Sequence, residues 1–135
     1  MIAGNLADRL INVPIAKHHS ISKLTLGMKN LMGVIGGNRG RMHSNIAESL
    51  TDISSVIHSD LTVVDATRIL VANGPQGGRL KDVRHTETLI ASPDIVAADA
   101  YAVTLFNLKP EDIPTLVSAA NRGLGVMDLK RVRMV

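Results

Sequence analysis

Thr86-Glu87-Thr88-Leu89-Ile90-Ala91-Ser92-Pro93-Asp94-Ile95-Val96-Ala97-Ala98-Asp99-Ala100 is the stretch on which the fold turns. Thr86 to Ala91 reads as a strand. Ser92-Pro93-Asp94 then supplies a helix start, with a hydroxyl for the N-cap, a proline at the first helical position and an acid in the first turn. The helix expected over 93–106 is apolar almost all round and rich in alanine, so it should pack tightly against a sheet. A strand running directly into such a helix argues for an α/β layered domain.

The alternation recurs on both sides. Leu61-Thr62-Val63-Val64-Asp65-Ala66 is β-branched and reads as a strand, which Ile69-Leu70-Val71 extends or pairs with before a loop over 73–78. Ser44 to Ile57 is an amphipathic helix, with Ile46, Leu50, Ile53 and Ile57 at helical spacing. Leu10 to Ile15 reads as a mostly buried strand whose regular pairing ends at Pro14. The spacing of Leu24, Met28, Leu31 and Met32 predicts a short helix over 21–32, and the four glycines of 33–41 predict a loop. Downstream, Asp112 is expected to cap a last helix that Gly123 terminates, and a short strand near 126–134 to close the chain. The expected architecture is a single α/β domain over 1–135, with a small mixed or parallel sheet flanked by helices.

Composition narrows the function. A chain of 135 residues can build one hydrophobic core but not two ordinary domains. Its only aromatic residues among Phe, Tyr and Trp are Tyr101 and Phe106, so the core must come from Ile, Leu, Val, Ala and Met. There is no cysteine, which excludes disulfides, thiolate-held iron–sulfur clusters, cysteine-ligated zinc and a cysteine nucleophile. No apolar run approaches the roughly 18 residues that span a bilayer, and Met1 to Arg9 lacks the order of a signal peptide. A cytoplasmic protein without a membrane partner is expected. The net charge of +3 comes from scattered loop arginines and lysines and from Lys130, Arg131 and Arg133. No helix carries a basic stripe and stacking aromatics are nearly absent, so nucleic acid is not an expected partner.

Four segments gather Lys, Arg, His and glycine-rich backbone: 14–19, 26–33, 36–43 and 74–79. Cationic side chains beside flexible N–H-bearing backbone suit an anion. Lys17 and Lys29 stand in apolar surroundings, where a lysine pairs with an acid, holds an anion or extends to solvent. The 36–41 loop lacks the Gly-Lys-Ser/Thr ending of a P-loop and contains no GxGxxG, so a tight surface turn is its plain alternative. Asp99 sits in an apolar helix, where a lone carboxylate is costly to bury. It is either a ligand or base, or an anchor that bonds the backbone amides of a neighbouring loop. Asp65 follows an apolar strand, at the end where open α/β sheets place ligands, or else it braces the next turn through Thr67 or Arg68. His18, His19 and His43 could join either acid around a metal, although no HxH or HxxxH spacing is present. His58 and His85 read as solvated.

The ordered set Ile11-Asn12-Val13-Pro14, Lys17, His19, Thr25-Leu26, Lys29-Asn30-Leu31-Met32-Gly33, Leu61 to Ala66, Gly74-Pro75 with Gly77-Gly78, and Ala91 to Asp94 with Val96 to Ala100 resembles the signature of the domain of unknown function 362 family. The resemblance runs from about Asp8 to Leu124. It implies that Lys17, His19, Lys29, Asn30, Gly33, His43, Asp65, Gly74, Pro75, Asp94 and Asp99 are pattern positions. It also implies that this chain corresponds to the C-terminal half of a longer common domain. Many members carry ferredoxin-like cysteine clusters. With no cysteine here, no iron–sulfur cluster is expected, and the cofactor is left unassigned. Members often have Lys-Thr-His where this chain has Lys17-His18-His19.

Two readings follow. In the first, the loops hold a small anionic ligand: Lys17, Lys29 and Arg39 neutralise it, and Asn30 with the Gly37 backbone orients it. His43 and Gly74 border it, and His19, Asp65 or Asp99 supplies redox- or proton-transfer-linked chemistry. In the second, the chain is a non-catalytic half-domain that pairs with another copy or with a missing N-terminal half.

Overall fold

A computed structural model describes residues 8–76 and 78–135. Gly77, and residues 1–7 of the expected non-signal N-terminus, lie outside the described residues. The sheet is mixed and has five strands: β1 (Ile11–Asn12), β2 (Ile15–His19), β3 (Lys23–Thr25), β4 (Leu61–Leu70) and β5 (Val83–Ser92). Four α-helical segments flank it: α1 (Gly27–Asn30), α2 (Ile46–Val56), α3 (Ile95–Thr104) and α4 (Pro114–Asn121). The expected α/β layered class is the one found.

β4 is the spine of the sheet. β1 and β2 run parallel along one of its sides in tandem, with Ile11 beside Leu61, Asn12 beside Thr62 and Ile15 beside Asp65, before a register shift places Lys17 beside Leu70. Pro14 interrupts this line because it has no N–H to donate, yet its carbonyl still accepts from the Asp65 amide at 2.8 Å. The expected strand therefore does not end at Pro14 but resumes as β2. β5 pairs antiparallel on the far side of β4, and β3 pairs antiparallel with β2.

The core lies on one face of this sheet. Ala16, Val64, Ala66 and Ile69 pack there against Val96, Ala100 and Val103 of α3, all fully buried. The small side chains of α3 let its backbone approach the sheet closely. A second cluster joins Leu31 and Met32 to Leu50 and Ile53 of α2 and to Ile57, the extended residue that follows the helix, so the expected stripe packs although the helix stops one residue short of Ile57.

Five local expectations fail, wholly or in part. The chain at 21–32 is not one helix: it turns at 20–22, forms β3, and only then enters α1 and a 3-10 turn over Leu31–Val34. The His19 imidazole accounts for this, because its Nδ1 accepts from the Ile21 and Ser22 amides and fixes a hairpin turn. The 33–41 region is loop only in part, since a 3-10 segment begins at Arg39 and runs to Asn45. Near 126–134 there is no strand but a 3-10 turn over Leu129–Arg131, capped by Asp128. At α3 the N-cap is Asp94, not Ser92, whose hydroxyl instead accepts from the Asp94 amide. Asp112 caps no helix directly: it closes a 3-10 turn over Pro110–Asp112, and Pro114 opens α4. Gly123 does end α4, with φ of +70°.

Candidate functional site

The C-terminal half of β2 brings Lys17, His18 and His19 to the edge of the helical layer, where Lys29 of α1 and His43 of the 39–45 segment meet them. The His19 and His43 rings stack at 6.1 Å between centroids, with 22° between their planes. His19 is buried and loses its affinity for a proton: burial first, then the charges of Lys29, His43, His18 and Lys17, bring its pKa down to about 4. At neutral pH the ring is uncharged. Because Nδ1 accepts two amides, the proton resides on Nε2, which is a donor. Lys29 is also pushed below the ordinary lysine range, by burial and then by Lys17.

No acid among the described residues forms an ion pair with these groups. Among the described residues the side-chain ion pairs link Arg9 to Asp60 and Arg122 to Glu48 and Asp52. Like charges held together without a counter-ion are unfavourable, and an added anion relieves the repulsion.

The turn that carries Lys29 is pinned from three sides. Asp99 of α3 is 3% exposed, and its two carboxylate oxygens accept from the Gly27 and Met28 amides at 2.7 and 2.9 Å. Asn12 of β1 donates to the Gly27 carbonyl, and its own oxygen accepts from Asn30 at 2.8 Å. A Cβ on Gly27 would stand 2.8 Å from Asp99 Oδ1, so no side chain fits between the turn and α3. Burial outweighs the two amide bonds and raises the Asp99 pKa to about 7. Lys29 and Asp99 both border a water-sized recess of about 20 Å³ between α1, α2 and α4.

Gly74 meets the cluster from the other side. Its amide donates to His18 Nδ1 at 3.1 Å, and a Cβ there would lie 2.1 Å from the His18 carbonyl oxygen. Only glycine allows that approach. The loop is closed behind it by Asp82, whose carboxylate takes the Asn73 side chain and the Arg79 amide.

The structure thus brings together Lys17, His19, Lys29 and His43, with Asn30 and Gly74 bordering them. Arg39 arrives on the same segment as His43, exposed, with one guanidinium nitrogen 3.4 Å from the Met32 carbonyl. Gly37, at φ of +87°, supplies the bend before it. Asp65 stands apart. It lies in the middle of β4 rather than after a strand, and its carboxylate accepts from the amide and hydroxyl of Thr67, which holds it below the usual carboxylate range. The described residues contain no group of three or more metal-ligating side chains. His58 and His85 are exposed. Sequence reasoning passed over Asn12 and His18 as positioning residues. An amide in the apolar run Leu10 to Ile15 was the available signal for the first.

Residues 4–104 match the model of the family described as Domain of unknown function (DUF362), and the chain belongs to that family. It is also similar to the thylakoid-associated protein sll1697 of Synechocystis sp., with 32% identity over 126 residues. That alignment covers 87% of this chain and 38% of the relative, so the chain spans well under half of the curated relative's length. No solved structure matches the chain. No helix among the described residues is long and apolar enough to cross a membrane.

Proposed function

We propose that the cluster of Lys17, His19, Lys29 and His43 binds a small anionic ligand, such as a phosphate or carboxylate. The observation that carries this reading is the crowding of basic groups that no acid among the described residues pairs, on backbone fixed by Asp99, Asn12 and Gly74. Lys17 and Lys29 supply charge, His19 donates through Nε2, and Asn30, Arg39 and the Gly37 bend border the approach. His19 and Lys29, whose proton affinity is depressed, are the groups suited to proton transfer there. Asp99 acts by holding the Lys29 turn. A cytoplasmic location belongs to the same proposal, and cell fractionation reads it.

Thermal melting in inorganic phosphate and in di- and tricarboxylates tests the site. Ligand at a hundredfold excess over its dissociation constant stabilises by about 2.7 kcal/mol, which is readily seen as a rise in Tm. Lys17→Ala and Lys29→Ala should each weaken that rise. No rise with any of these anions, or a rise indifferent to both substitutions, would overturn the proposal.

A further inference from the structure

Lys29 brings more than charge to the cluster. It stands on the short helix that follows β3, and its side chain is half-buried rather than free in solvent. That turn is held on every side: Asp99 takes the Gly27 and Met28 amides, Asn12 takes the Gly27 carbonyl, and no side chain fits at Gly27. An amine on such a support loses little freedom when it meets a reactant. Lys29 also borders the recess of about 20 Å³, whose walls are mostly Leu24, Leu26, Met28 and Leu50. Asp99 is the other ionisable group on that recess, and the ion pairs among the described residues all lie elsewhere.

Two influences favour the uncharged amine. The surrounding protein withholds water from the ammonium, and Lys17 adds a second positive charge, so both push Lys29 below the ordinary lysine range. A neutral amine has a lone pair, the condition under which a lysine attacks a carbonyl carbon. Lys23, Lys81, Lys109 and Lys130 stand exposed instead. The neighbours of Lys29 then sort the reactant. Of the charges that act on His19 that of Lys29 is the largest, and Lys17 acts on both, so the three head groups lie together. Around one amine the cluster sets a cation for a carboxylate and the Nε2–H of His19 for an oxygen. A plain carboxylate or phosphate leaves the lone pair unused, and a carbonyl compound with no acid group leaves Lys17 unused.

Resting on the anion-binding reading of this cluster, we infer that Lys29 forms a Schiff base with small oxo acids, their carboxylate on Lys17 and their carbonyl oxygen on His19. The Nζ lone pair forms the C–N bond as the π bond of the carbonyl opens, and one amine proton moves to the oxygen to give a carbinolamine. The C–O bond then breaks, and the hydroxyl leaves as water with the second amine proton. Amine plus carbonyl thus gives imine plus water, with no oxidant or reductant consumed. The recess beside Lys29 has room for one water.

Reductive trapping tests the assignment. The full chain is incubated with pyruvate or 2-oxoglutarate and sodium cyanoborohydride at neutral pH, and peptide mass spectrometry locates the adduct. Lys29 should carry roughly tenfold more adduct than any exposed lysine, and acetone, which has no carboxylate, should give roughly tenfold less at Lys29. Lys17→Ala should lower the pyruvate adduct more than the acetone adduct. Adduct spread evenly over the lysines, or equal adduct from pyruvate and acetone, would sink the inference. Thermal melting in inorganic phosphate distinguishes the two sources of failure. A rise in Tm with no adduct at Lys29 removes the Schiff base and leaves the anion site standing, whereas neither a rise nor an adduct removes both.

Discussion

His19 and Asp99 are the two ionisable residues that burial disturbs most strongly, and it moves them in opposite directions. His19 falls from 6.5 to about 4 in the fold, so it is neutral there while the unfolded chain still binds the proton. Its contribution to stability is therefore lost as pH falls from 6.5 towards 4. Asp99 rises from 3.8 to about 7, so the fold holds a proton that the unfolded chain has released. That contribution is present below the unfolded value and is lost as pH rises towards 7. Between about pH 4 and 6.5 the two oppose one another. Urea unfolding across this window should show Asp99→Asn losing stability on acidification, since His19 then acts alone, and His19→Gln gaining it. Equal slopes in the two variants would show that burial does not govern these groups. Asp60, Asp65 and Asp82 are all held below the ordinary carboxylate value by their hydrogen bonds, so their losses begin near and below the acid end of the window.

Among the elements, α3 does the most to order the rest. Asp94 at its N-terminus accepts from the Val96 and Ala97 amides with one oxygen and from the Val126 amide with the other. One side chain thus starts the helix and ties the C-terminal segment to it. A Cβ on Gly125 would stand 2.2 Å from Asp94 Oδ1, which keeps that crossing closed to any larger residue. Asp94→Ala should cost about 1–3 kcal/mol by the usual value of a cap and of an unsatisfied amide. Amide exchange should accelerate at Val96, Ala97 and Val126 together. Acceleration at the helix alone would mean that the C-terminal segment is held by other contacts. The presence of this helix was legible in Pro93-Asp94 and the alanine-rich run. Which of Ser92 and Asp94 capped it was not, because either could supply the acceptor and only the backbone path decides.

At the scale of the whole molecule, the two faces of the sheet separate sharply. Ile69 is fully buried in the core, whereas Leu89 is 65% exposed. Ile69→Ala should destabilise the chain by about 2–5 kcal/mol, and Leu89→Ala by less than about 0.5 kcal/mol. Comparable losses in chemical unfolding would mean that Leu89 is already covered within the isolated chain.

The sequence by itself determined the α/β class, the amphipathic stripe of α2, the apolar α3, the end of α4 at Gly123 and the family. These depend on periodicity, capping chemistry and ordered motifs, all of which are local. It also placed Lys17, His19, Lys29 and His43 on a short set of candidates. Only the tertiary structure joined those four, because they come from β2, α1 and a 3-10 segment that a long crossover folds together. Only the structure divided the two aspartates. Asp99 points into the layer between sheet and helices and clamps the α1 turn, while Asp65 lies on the opposite face of the sheet. Strand alternation decides on which side a residue falls. Which side meets the helices is settled only when the whole chain has packed.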